Sequence, residues 1–240
     1  MQATWRTRAS LIKLGLACGM VAPLWWAGII IYCAQRFPGY NHVTHFISEL
    51  GAHASPTEDI MRNFGFLFTG GLYLVFALTV MWLFRRDWRV ILGALLIAAV
   101  GGARIGAGLY ACEPGCDPHI ISLSQEWHQH FAEAGYWLMM VAAVVTGFAV
   151  NRYRALQHVL AAGIGTAAWC AMFLALLFIY PQWQGLFQRL ASGILSAWVL
   201  LLAVSLWRYL YLQATAPPRV PAAPIKLKRR ARRAAQRRAG

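Results

Sequence analysis

Six long apolar runs separated by polar links organise this chain, over approximately residues 11–35, 64–84, 90–111, 127–150, 156–180 and 187–211. A helix needs roughly 20 apolar residues to cross the hydrocarbon core of a bilayer, and each run meets that length. Strands are excluded because the runs are continuously apolar rather than alternating, and far too long. The pattern predicts an all-α, polytopic membrane protein: a bundle of six transmembrane helices. It divides into residues 1–10 before the bundle, the transmembrane body at 11–212, and a tail at 213–240. Composition agrees, with 59% hydrophobic residues, 12% charged residues and a mean hydropathy of +0.50.

Charge in the links sets an expected orientation. Arg6, Arg8 and Lys13 precede or open the first run, Arg85, Arg86 and Arg89 against Asp87 join the second to the third, and Arg152 and Arg154 join the fourth to the fifth. The alternate links are acidic: Glu113, Asp117 and Glu126 in one, and Glu49, Glu58 and Asp59 against Arg36 and Arg62 in the other. Both termini are therefore expected in the cytoplasm of a cell membrane, with the bacterial inner membrane as the expected location. The first run follows basic residues but is too long for a cleavable leader, so it reads as a signal anchor.

The tail is a different kind of chain. Pro217, Pro218, Pro221 and Pro224 stop the last helix, and Arg219, Lys226, Lys228, Arg229, Arg230, Arg232, Arg233, Arg237 and Arg238 follow with no acid among them, within a chain of net charge +14. We expect a disordered cytoplasmic segment held at the anionic inner leaflet, at about 1 kcal/mol per basic residue. A nucleic-acid backbone attracts the same charges, but the tail has no aromatic side chains on which bases would stack.

The polar link at residues 38–56 reads PGYNHVTHFISELGAHASP and places His42, His45, Ser48, Glu49 and His53 where the chain meets the bilayer. ISELG also reads as a structural turn, with Ser48 capping a short interfacial helix and Gly51 ending it. Cys112 and Cys116 bracket Glu-Pro-Gly in the acidic link. A disulfide is the first reading there, ahead of two free thiols or metal binding. Cys18 and Cys170 sit in apolar runs and read as small packing residues, and Cys33 has no evident partner.

Ionisable residues inside apolar runs are costly and need a reason. Arg104 lies in GGARIGAG, where Gly102 and Gly106 form a GxxxG pair that favours close helix packing. His128, His130 and Glu133 lie early in the fourth run, and Arg189 opens the sixth after PQWQG. All fall at the end of the bundle that carries Ser48, Glu49 and Asp117. Residues two apart on a helix diverge, a constraint that loosens at a helix start, so His128 and His130 are a weak zinc signature; a site of His45 with either one stays open behind acid–base roles, and no metal ligands are assigned. Ser48, Glu49, His128, His130 and Glu133 are the candidates for acid–base or nucleophilic chemistry. His45, Arg104, Asp117 and Arg189 are the candidates for binding. The cofactor and the oligomeric state are both left open.

These blocks resemble one family. ISELGA followed by Pro56, the Arg104 helix leading into YACEPGC, a His at the start of the next helix and GLFQRL opening the last are similar to domain-of-unknown-function family 998. It is a group of bacterial and archaeal membrane proteins, and the likeness extends over roughly residues 14–210. It implies a six-helix architecture and carries over Ser48, Glu49, Gly51, Arg104, Glu113, Pro114, Gly115, His128 or His130, and Arg189. ISELGA is more distantly similar to the ISDTG-type loop of the Frag1/DRAM/Sfk1 membrane proteins, some of which remodel lipid anchors. Two functions follow as expectations: a lipid-handling protein, enzymatic or not, that holds an anionic headgroup through Arg104 and Arg189, or a non-catalytic scaffold or partner subunit. A transporter fits less well, because the charges gather at one end rather than at the midplane.

Orientation is directly testable. A cysteine at Ala54 should react with an impermeant maleimide in outer-permeabilised cells, and one at Ala214 should not. Labelling of both, or the reverse, would exclude the arrangement.

Overall fold

The structure is a computed structural model that describes residues 2–117, 119 and 122–215, with side chains from Ser10 onward. The basic tail from residue 216 and the charges of Arg6 and Arg8 lie outside this description. The chain divides into a body, Met1–Tyr209, and a second unit, Leu210–Gly240, in which the described residues 210–215 are helical.

Among the described residues, six helices are long and apolar enough to cross a membrane. They are α1 (Gln2–Ala34), α2 (Glu58–Leu83), α3 (Trp88–Leu109), α4 (Leu123–Val150), α5 (His158–Ile179) and α6 (Gln184–Thr215). Four starts lie three or more residues ahead of the sequence reading, the first being α1, which begins at Gln2 rather than near 11. α2 begins at Glu58 rather than near 64, because its polar first turn, Glu58 to Asn63, is helical and continues through a π-helical stretch, Met61–Leu67. α4 begins at Leu123 rather than near 127, because the Ser122 hydroxyl accepts the Gln125 backbone N–H at 3.1 Å and caps the helix. α6 begins at Gln184, three residues ahead of the expected start, directly after a 3-10 turn at Pro181–Trp183.

α3 is the packing centre, flanked by α2 and α4, with α1 against α2 and α5 against α4. Glycine makes the tightest of these contacts. A Cβ on Gly70 would lie 2.6 Å from the Gly101 carbonyl oxygen, and one on Gly101 would lie 2.8 Å from that of Gly70. The α2 and α3 backbones therefore touch. This corrects the glycine pairing expected from sequence: Gly102 is exposed and meets no neighbour, and Gly106 packs on the Phe131 ring. Gly163 does the same between α5 and α4, where a Cβ would stand 2.3 Å from Ala143 O.

Helix alternation puts the links at 35–57, 110–122 and 180–183 at one end, called here the motif end. The links at 84–87 and 151–157 lie at the other. That opposite end is closed by buried Asp87, whose carboxylate caps α3 by accepting the Arg89 N–H, accepts the Tyr153 hydroxyl at 2.8 Å and pairs with Arg152. At the motif end Arg62 closes α3: its Nε and Nη2 donate to the terminal carbonyls of Gly108 and Leu109, each at 2.9 Å, while Nη1 pairs with Glu58. Those carbonyls have no partner within their own helix, so a cation there is favoured by hydrogen bonding and by the helix dipole.

The glycine contact predicts a contrast between neighbours. Gly101→Ala should lower the unfolding temperature of detergent-purified protein, at about 1–3 kcal/mol for overpacking. Gly102→Ala should leave it unchanged or raise it, since alanine is the better helix former. Equal losses at both positions would contradict the packing.

Candidate functional site

Two polar assemblies occupy the motif end, and the Ile47–Glu49 backbone lies between them. The first is a small cavity of about 80 Å³ inside the bundle. Arg104 of α3, His128 of α4 and Ser48 of the ISELGA turn line it, with Gln188, Ser192 and Ser196 of α6 and the rings of Trp26, Tyr73 and Tyr136. No carboxylate is among the lining residues.

Arg104 dominates the cavity. Its guanidinium carbon lies 4.0 Å from the centre of the Trp26 ring and 5.6 Å from that of Tyr73. Desolvated cation–π contacts contribute about 2 kcal/mol, against an insertion cost of about 2.5–3.5 kcal/mol for Arg at mid-helix depth. The rings therefore offset much of the burial without supplying an acceptor. Nη1 is buried and has no hydrogen-bond partner among the described residues. A buried donor left in this condition costs about 1–3 kcal/mol.

His128 is buried, and its Nδ1 lies 2.9 Å from Ala107 O and 2.8 Å from Tyr110 O. Two carbonyls can only accept, so Nδ1 carries a proton. The helix turns the two histidines apart, and of the two His128 lines the cavity. His130 points outward, exposed, with Nε2 3.8 Å from Glu126. Ser48 is buried and lines the cavity, but it does not cap its turn: Ser48–Gly51 is a 3-10 helix that starts from Ile47 without a side-chain cap.

The second assembly ties the polar link to α6. Arg189 donates from Nε to His42 Nδ1 at 3.1 Å, from Nη1 to the carbonyls of His45 at 2.9 Å and Gly185 at 2.8 Å, and from Nη2 to the Tyr40 hydroxyl. Tyr40 passes its own proton to Phe46 O at 2.8 Å and stacks on His45. Burial pushes the Tyr40 phenol up to about 12 even against the pull of Arg189, so it stays a neutral donor. Burial and then the Arg189 charge hold His42 below the usual imidazole range. Buried Glu49 belongs here as well. It accepts the Phe46 N–H at 2.7 Å, and burial raises its carboxyl above the ordinary range although that bond, His45 and Arg189 all pull it down. Gln188 links the two assemblies, accepting the Ile47 N–H from the cavity side.

A lid covers the ISELGA turn. Cys112 and Cys116 stand at disulfide distance, with Cα atoms 5.1 Å apart. The turn between them uses Gly115 at φ +80°, a conformation that favours glycine. Cys112 Sγ lies 3.6 Å from Ser48 O, and the His53 N–H donates to Cys112 O at 2.8 Å. Glu113 accepts the Ser122 hydroxyl at 2.7 Å, which anchors the loop to the start of α4.

Of the residues singled out from sequence, the fold gathers Ser48, Arg104 and His128 into the cavity. It groups Glu49, His45 and Arg189 beside it. Glu133 and His130 are exposed on α4, and exposed Asp117 accepts the His119 N–H within its own loop; none of the three lines the cavity. Sequence reasoning missed Trp26, Tyr73, Tyr136, Gln188, Ser192 and Ser196. Gln188 sits inside GLFQRL, and Ser192 and Ser196 recur at helical spacing from it, which was a usable signal. The aromatic residues had none among so many.

The family model described as Protein of unknown function (DUF998) matches residues 20–205, so the chain belongs to that family. No curated protein and no solved structure matches the chain.

The raised Glu49 carboxyl carries a pH signature. A folded value above the unfolded one means that stability falls as pH climbs from the ordinary carboxylate value through the raised one, then levels off. Glu49→Gln keeps the acceptor for Phe46 and should flatten that limb, raising the unfolding temperature near neutral pH. Thermal unfolding across the acid-to-neutral range checks it. A uniform loss would show that His45 and Arg189 depend on the negative charge.

Proposed function

We propose that this DUF998 member is an integral membrane protein that holds an anionic headgroup, of phosphate chemistry, in the Arg104 cavity. The observation that carries the reading is the buried Nη1 of Arg104, unpartnered among the described residues, in a cavity whose described lining holds no carboxylate. A guanidinium held between aromatic faces presents its edge to a ligand, and an anion accepts two parallel bonds from it. Ser48, Ser192, Ser196 and Gln188 offer neutral donors around the same space.

In this reading Arg104 is the anion-binding cation and Arg189 is its support. Arg189 already gives its bonds to the loop that carries Ser48. The link charges favour placing the motif end away from the cytoplasm, and the headgroup then comes from the outer leaflet. If binding leads to reaction, His128 is the base, since main-chain carbonyls hold its Nδ1–H and leave Nε2 as the nitrogen that would take a proton. A non-catalytic scaffold is the alternative, and it predicts no ligand on Arg104.

The test is mass spectrometry of lipids that co-purify with the protein, repeated on Arg104→Ala. Loss of one anionic species is expected. Arg104→Lys should keep the charge and lose the fork, weakening phosphate binding by about tenfold or more, from about 1.5–3 kcal/mol of charge-assisted bonding. Unchanged lipid content in both variants would favour the scaffold.

A further inference from the structure

The Arg104 cavity is too small for a whole ligand. Sites that bury a small molecule span roughly 300–1,000 Å³, whereas this one offers about 80 Å³. A second space of about 370 Å³ adjoins it and shares Trp26, Ile47, Ser192 and Ser196 as a common wall. It is a groove between α1 and α6 on the face of the bundle.

The groove is built along the two helices. Leu24, Ala27 and Ile31 mark one side, at steps of three and four, and Gly193, Ala197 and Leu200 mark the other. Each stripe spans seven residues, about 10 Å of helix, within segments that cross the membrane. Leu24 and Ile31 are 63% and 54% exposed, so the groove opens sideways toward lipid rather than into a closed core. Its polar end carries His42 and Arg189, and the remainder of its length is apolar apart from the two serines of the shared wall.

We infer that the ligand of the Arg104 site is a membrane lipid that enters sideways between α1 and α6, its anionic headgroup in the cavity and an acyl chain along the groove. This rests on the headgroup reading above and adds the source of the anion. Three features select a lipid over a soluble phosphate. The headgroup space alone is too small. The adjoining space is apolar, lies at hydrocarbon depth and faces the bilayer. Positive charge stands at the end of the groove where a headgroup would lie, with Arg189 at its mouth and Arg104 in the cavity behind.

Gly193 provides a clean test, because a Cβ there meets nothing within 4 Å. Gly193→Leu therefore starts its side chain in open space at the groove, and Ala197→Leu, four residues on and also exposed, adds bulk at a second point. Purified full-length protein is titrated with phosphatidylglycerol and with glycerol phosphate, read by native mass spectrometry. Both variants should lose about tenfold or more in phosphatidylglycerol affinity, a change of about 1.4 kcal/mol, while glycerol phosphate binding stays at the wild-type level. Arg104→Gln should weaken both ligands.

Wild-type phosphatidylglycerol affinity in both groove variants would overturn the inference. So would equal wild-type affinity for glycerol phosphate and phosphatidylglycerol, which would leave a soluble anion on an intact Arg104 site. Loss of glycerol phosphate binding in both groove variants at unchanged unfolding temperature would also overturn it, since head and chain would not then be separate. Unchanged binding in Arg104→Gln would remove the headgroup reading itself.

Discussion

One partly buried cation constrains the motif end of this bundle. Arg104 sits on the central helix, at a depth where water does not repay its desolvation, and no carboxylate lines the space around it. The fold answers with aromatic faces on two other helices, Trp26 of α1 and Tyr73 of α2. That solution fixes much else. It requires α1 and α2 to stand close to α3, which the bare backbone contact of Gly70 with Gly101 permits. It also leaves one guanidinium edge with hydrogen-bonding capacity that the described residues do not use.

The loop above the cation is held by a different kind of bonding. Arg189 gathers one imidazole, two carbonyls and a phenol. It acts as a multipoint connector whose charge is spread over neutral acceptors. This explains why two arginines at the same end of the molecule take different parts. One is saturated by backbone and loop and positions the ISELGA turn, whereas the other is cushioned by rings and stays open. The Cys112–Cys116 turn lies over the same segment from the far side, so the ISELGA backbone is gripped by α6 below and by the α3–α4 link above.

The architecture was legible because length and continuous hydrophobicity are enough to define a spanning helix. The errors lay at helix starts with polar first turns. Glu58, Asp59, Arg62 and Asn63 look like loop, yet Arg62 and Glu58 pair within the helix and Arg62 reaches the end of α3. The site was legible in part. Arg104 and His128 stand out because each is a polar residue in an apolar run, Ser48 stands out through the ISELGA block, and helical periodicity alone separates His128 from His130. Glu133 carried the same signal and faces outward. A burial cost marks a residue as unusual but not the direction in which it points. The aromatic cradle was invisible, since Trp26 and Tyr73 read like any other ring in a lipid-soluble helix.

The π-helical stretch Met61–Leu67 has a consequence for how this chain tolerates change. A π turn holds more residues per turn than an α turn, so it acts as a stored insertion near the start of α2. Removing one residue there would let the helix tighten to regular α geometry while the segments on either side kept nearly their present facing, because the wider turn had already absorbed the extra residue. The same deletion in α3, whose turns are regular, would rotate everything before it by about 100° about the axis. The stretch thus works as slack in the thread: α2 can give up a residue and still deliver Arg62 toward the end of α3, where a regular helix would exchange its faces.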